Sequence, residues 1–197
     1  MPRRNQTAEK RRELLPIIAK AFAELSYRRT TTAELGRRCR VRENILYRLW
    51  PDKKAMFIAA IDYVFDLSAR TWASLLSDCS SAGEGARRLL EYEATHHGEF
   101  GHYRIVFAGL SEMDDPEIRS ALRTMFGRFH RFLSNQIEAG RGRRGSKPRA
   151  KPSVSAWAMI GVGTAANISR ELGLLTDSQR RQLIGEIGRL LLDGSAA

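Results

Sequence analysis

The chain has 197 residues, enough to bury a substantial core and, at roughly 100–200 residues per domain, to form one domain or two small ones. It carries 33 Lys and Arg against 22 Asp and Glu, a formal net charge of +11 at pH 7, and it has no run of about 18 apolar residues, which argues against a membrane-spanning chain. Cys39 and Cys79 have no CxxC partners, and the charged opening MPRRNQTAEKRRELL lacks an apolar segment before a cleavage site, so a reducing cytoplasm is expected rather than secretion.

The first helix is expected from about Thr7 to Leu25. An interior proline removes a backbone bond and clashes with the preceding turn, so Pro16 implies a kink or a late start. Thr31 with Glu34 three residues on reads as a capping box, in which hydroxyl and carboxylate each satisfy an orphan backbone N–H. Thr31 is therefore the expected N-cap of a second helix. Leu35 and Cys39 lie one turn apart on one face of it, and Val41, Leu46, Leu49 and Trp50 supply the apolar surface they can close against. Thr30 to Lys53 is thus helix, tight turn, short helix and the start of another, the layout of a DNA-reading head.

Outside that apolar surface remain Arg37, Arg38, Arg40, Arg42, Asn44, Tyr47 and Arg48. These are phosphate donors and base-edge readers, where a merely solvated face would mix signs. Residues 1–60 hold 15 basic and 6 acidic side chains, net +9, and residues 61–139 hold 8 and 12, net −4. Such asymmetry docks one end of a protein on a polyanion. A membrane surface would attract the same charge, but no basic amphipathic helix with an aromatic face accompanies it.

Asp52 can cap a long fourth helix from Lys53 through Ala60, Val64 and Leu67 towards Leu76, ended by the breakers of Ser80 to Gly85. Segments 86–97 and 101–111 read as shorter helices. Asp115-Pro116-Glu117 is a start signal, with N-cap, proline at the first helical position and an acid in the first turn, for a helix reaching Glu138. Gly140 to Pro152 carries six basic residues and no acid; it reads as a solvated linker, with a second DNA-contacting tail as the alternative. The last two helices, about Ser153–Leu172 and Asp177–Asp193, are separated by Gly173 and a second capping box, Thr176 with Gln179. Gly161, Gly163, Gly185 and Gly188 recur along them, and since glycine costs about 1 kcal/mol against alanine inside a helix, they point to close helix packing.

His96, His97, His102 and His130 form no i, i+4 pair with one another, so no metal site is expected. There is no GxSxG elbow, HExxH or GxxxxGK[ST], and GVG at 161–163 sits in an apolar helical stretch rather than after a strand, so the chain shows no enzyme's equipment and calls for no cofactor. Aromatic and sulfur side chains abound from Trp72 to Met159. By default they are core, yet an effector pocket uses the same types with a few polar anchors.

Leu14, Leu15, Ala21 and Phe22 on the first helix, then Tyr27, the Thr30-Thr31 pair, Leu35, Leu46-Tyr47, Trp50 and Lys53, together resemble the tetracycline-repressor (TetR/AcrR) family of bacterial transcriptional regulators over about residues 7–60. The resemblance implies an all-α homodimer. A helix-turn-helix head at 1–53 would bind double-stranded operator DNA, and a helical bundle at 54–197 would bind a small-molecule effector and dimerise, so that the protein acts as a repressor in the cytoplasm. It further suggests phosphate contacts by Thr31, Tyr47 and Lys53, while geometry favours Arg42, Glu43, Asn44 and Arg48 for base edges. Candidate pocket residues are Tyr103, Phe107, Phe126 and His130; candidate dimer contacts are Trp157, Gly161, Gly163, Ile184, Ile187 and Leu191. Two positions depart from the family pattern, Arg40 where the turn usually has Gly and Arg42 where the second short helix usually has a Ser N-cap. The rival reading is a helical ligand-binding or scaffolding protein without specific operator binding.

Overall fold

The computed structural model describes residues 3–141 and 150–193. Residues 142–149, on which the expectation of a DNA-contacting tail falls, lie outside them. Among the described residues the fold is all-α, with nine helices and no strand: α1 (Arg3–Arg29), α2 (Thr32–Cys39), α3 (Glu43–Leu49), α4 (Lys53–Leu76), α5 (Ala82–His96), α6 (Tyr103–Leu110), α7 (Pro116–Arg141), α8 (Pro152–Glu171) and α9 (Asp177–Asp193). They gather into two compact units, Met1–Leu67 with Phe100–Met125, and Ser68–Glu99 with Phe126–Ala197.

In the first unit α1 runs through Pro16 with helical dihedrals, so the late start expected there does not occur. The backbone breaks instead at Ser26 (φ 63, ψ 172), just past the Leu25 end expected from the sequence. Thr30 is fully buried and donates its hydroxyl to the Ser26 carbonyl at 2.6 Å, which satisfies an acceptor freed by the break. Leu14, Ile18 and Phe22 of α1 are buried with Leu35, Leu46, Met56, Phe57 and Ile61, and the Phe22 and Phe57 rings meet edge-on at 4.9 Å. α6 also packs on α1, bringing Ile105 into this unit, and the start of α7 adds Ile118, so the head rests on more than its helix-turn-helix. Asp115 caps α7 as its sequence implied, Oδ1 accepting from the N–H groups of Glu117 (2.9 Å) and Ile118 (3.2 Å).

In the second unit α9 packs against both α5 and α8 around Leu90, Ala166 and Ile184. Gly188 lets α9 close on Leu90, which a β-carbon there would strike. The box before α9 is complete: Thr176 Oγ1 accepts from the Gln179 N–H at 3.3 Å and Gln179 Oε1 from the Thr176 N–H at 2.9 Å.

Candidate DNA-binding face

The helix–turn–helix is built by local rules. Thr31 has the extended backbone of an N-cap, and its hydroxyl accepts from the Glu34 N–H at 3.1 Å. The reciprocal half of the expected box is absent, because the Glu34 carboxylate is taken by Arg37 (2.8 and 2.7 Å) and by Arg38 Nε (2.6 Å). These hydrogen bonds, that to Arg37 foremost, hold Glu34 down at about 2, and Arg38 also reaches Glu24. Arg37 and Arg38 are therefore already engaged with carboxylates.

α2 ends at Arg40, which adopts the left-handed conformation (φ 54, ψ 39) usually reserved for glycine. Its N–H donates to the Arg37 carbonyl at 3.2 Å, and Val41 N–H to that of Gly36 at 3.0 Å, the paired bonds of a Schellman end. Gly36 has its own reason to be glycine, since a β-carbon would sit 2.9 Å from the Val41 carbonyl oxygen. Arg42 is the N-cap of α3 without a side-chain capping bond, as its departure from Ser implies.

The face that results exposes Arg40, Arg42, Asn44, Tyr47 and Arg48, with Leu46, Leu49 and Trp50 turned inward. Among the described residues, the side chains of Arg40, Arg42, Asn44 and Arg48 form no hydrogen bond or ion pair, so their donors are available. Glu43 and Tyr47 are both tied to Thr32, which sequence reasoning passed over; its place directly after the N-cap was the available signal. Lys53 is half-buried, its Nζ donating to the carbonyls of Tyr27 (3.1 Å) and Thr30 (3.2 Å), so much of its bonding capacity is spent inside the protein.

Of the pocket candidates, Tyr103 is buried and meets Phe107 edge-on at 5.6 Å in the first unit. Phe126 and His130 belong to the second unit, both half-buried. His130 Nε2 lies 2.9 Å from the Ser153 carbonyl and the ring stacks at 5.0 Å on Trp157. The second unit also holds a polar chain that the sequence reading did not assemble. Trp72 Nε1 donates to Glu93 (2.7 Å), Glu93 meets His97 Nδ1 (2.9 Å), and His97 Nε2 lies 3.0 Å from the Gly163 carbonyl and 3.2 Å from Asn167. The i, i+4 spacing of Glu93 and His97 was the readable sign.

The dimer candidates divide. Gly163 and Ile184 belong to the protomer's own packing, which corrects their expected place at an interface: a β-carbon on Gly163 would lie 2.9 Å from His97, and Ile184 is buried in the core. Both faces of these helices are rich in apolar or small residues, so periodicity alone does not say which one turns inward. Trp157 is 52% exposed, Gly161 has open space before it, and Ile187 and Leu191 are half-buried. With Val154, Ala165, Ile168 and Leu172, also exposed, Trp157 and Gly161 form a seam along α8 at spacings of three and four residues.

Residues 17–60 match the model of the bacterial regulatory proteins of the tetR family. The head of the chain is thus that of the TetR family. No curated protein matches it. Solved structures share the TetR-like fold. One is a putative TetR-family transcriptional regulator from Rhodococcus sp., with TM-score 0.77 and 15% identity, covering 93% of this chain and 99% of that one. Another is a putative transcriptional regulator from Saccharomonospora viridis in complex with choline (0.75, 17%, 90% and 94%). A third is the regulator FadR from Bacillus subtilis in complex with stearoyl-CoA (0.73, 12%, 94% and 99%). Among the described residues no helix is long and apolar enough to cross a membrane, and no cluster of His, Cys, Asp or Glu could hold a metal ion.

Proposed function

We propose that the chain is a dimeric transcriptional repressor, not an enzyme, that holds operator DNA in the cytoplasm and lets go when a small molecule binds. The observation that carries this is the exposed set Arg40, Arg42, Asn44 and Arg48 on a capped helix–turn–helix within the segment that matches the TetR family. Residues 1–53 read DNA: Arg42, Asn44 and Arg48 meet base edges, with Thr31, Tyr47 and the remaining N–H of Lys53 on phosphates. Residues 54–197 bind effector and dimerise. A second copy covers the α8 seam of Val154, Trp157, Gly161 and Ile168, because a palindromic site needs two heads at a spacing fixed by the protein.

Ligand response is supported by the likeness to proteins solved with choline and with stearoyl-CoA. Tyr103 and Phe107, which meet edge-on within the first unit, are the proposed pocket aromatics, whereas His130, engaged with Ser153 and Trp157, is assigned to steadying Trp157. The test is a gel shift against the DNA flanking the protein's own gene, with unlabelled competitor, repeated with apolar and aromatic metabolites that raise its melting temperature. A competitor-resistant band dissolved by a stabilising compound is expected; its absence returns the chain to the class of helical ligand-binding or scaffolding proteins.

A further inference from the structure

Glu43, an expected base reader, is held in a different role. Its Oε2 accepts the Thr32 hydroxyl at 2.6 Å, and Thr32 Oγ1 in turn lies 3.2 Å from the Tyr47 hydroxyl, which donates to it. Among the described residues the exposed carboxylate makes no ion pair, although Arg40 and Arg42 are its near neighbours in sequence. Its stem is drawn to α2, where the Gly36 β-position lies 3.6 Å from Glu43 Cγ. Thr32 opens α2 beside the capped N-terminal turn, and the Tyr47 hydroxyl reaches the same spot from α3. The Thr32 hydroxyl, itself held by that of Tyr47, is thus turned onto an anion that belongs to the protein itself.

We propose that Glu43 is an internal stand-in for a DNA phosphate: in the free head it occupies the Thr32 hydroxyl, which Tyr47 steadies, and it must leave before a phosphate oxygen takes its place. This rests on the reading of the head as a DNA-binding one. Displacement costs a charge-assisted hydrogen bond, and the displaced carboxylate stays close to the polyanion. Both penalties are independent of base sequence, so Glu43 lowers affinity for every duplex alike. It sets how readily the head leaves DNA, not which sequence the head prefers.

The full-length protein is titrated onto two duplexes of about 30 bp, one of random sequence and one selected from a random pool, each long enough for both heads of a dimer. Glu43→Gln keeps the shape and removes the charge. It is expected to tighten both duplexes by roughly two- to fivefold per head, the range of one exposed charge interaction. Glu43→Asp is too short to reach Thr32 but keeps the charge near the phosphates, and it should bind both duplexes more weakly than Glu43→Gln. Melting curves of both variants show that each is folded. Loss of affinity for the selected duplex alone in Glu43→Gln would make Glu43 a base reader and overturn the proposal. So would unchanged affinity for both duplexes, or equal tightening in Glu43→Asp. Binding by Glu43→Gln where wild type binds neither duplex would support it, whereas no binding by either protein would overturn both this proposal and the DNA-binding reading.

Discussion

Lys53 closes the end of α1 through Tyr27: its ammonium lies 4.4 Å from the centre of the Tyr27 ring and donates to the Tyr27 carbonyl at 3.1 Å. An ammonium has three donors, and with a second bond to the Thr30 carbonyl at 3.2 Å one is left for a phosphate. Lys53→Ala should therefore weaken folding by about 1–3 kcal/mol as well as weaken binding to all duplexes, because a half-buried cation–π contact and two hydrogen bonds go together. Urea unfolding beside DNA titration checks this. Loss of DNA affinity at full stability would mean that Lys53 serves the phosphate alone.

Arg40 pays a conformational penalty that glycine would not. Replacing it with glycine should stabilise the fold by about 1 kcal/mol, or roughly 2–4 °C in Tm for a chain of this size, since the left-handed backbone ceases to be strained. The same change removes an unpaired cation from the DNA-binding face and should weaken binding to any duplex. Thermal melts and anisotropy titrations together decide it. An Arg40→Gly variant that is more stable and binds as before would show that the arginine does not touch phosphate.

On α8 the exposed seam and the buried face make opposite predictions. Trp157→Glu should yield monomers on sedimentation with the helical content intact, and should abolish tight operator binding because two heads are no longer held together. Gly163→Val should instead destabilise the protomer, its β-carbon driven against His97. A dimeric Trp157→Glu variant would put the interface on another surface.

His102 gives the head unit a pH dependence. Burial lowers its affinity for a proton below the ordinary 6.5, beside the rings of Tyr63 at 6.0 Å and Phe100 at 6.4 Å. The unfolded chain binds that proton more readily than the folded one, so this contribution to stability is fully present above pH 6.5 and is lost as pH falls through the lower folded value. Urea midpoints taken from about pH 7.5 to about pH 5 should fall less steeply in His102→Gln than in wild type. Identical slopes would leave the pH dependence to other groups.

Where the chain's signals are local, the sequence could be read closely. Thr31, Asp115 and Thr176 all cap the helices expected of them, α9 spans the expected Asp177–Asp193, and the left-handed Arg40 sits at the turn that the helix–turn–helix layout requires. The rest depends on partners distant in sequence. Nothing near Lys53 says that its ammonium will lie over Tyr27, and nothing in the spacing of Gly163 or Ile184 says which side of the helix meets α5. The docking of α6 on α1 is equally non-local, a matter of topology rather than periodicity. Pro16 shows the opposite error, a strong local signal overruled by packing on both sides, with Leu14 and Ile18 buried.

The central claim is that the basic face of α2, its turn and α3 docks on duplex DNA, and the salt dependence of binding tests it most directly. If a dimer neutralises 6–10 phosphates, affinity for its operator should fall by about 10³–10⁵ between about 50 and 200 mM salt, with log affinity linear in log salt. A flat response would contradict the account, because a face carrying Arg40, Arg42 and Arg48 cannot engage the DNA backbone without releasing counterions.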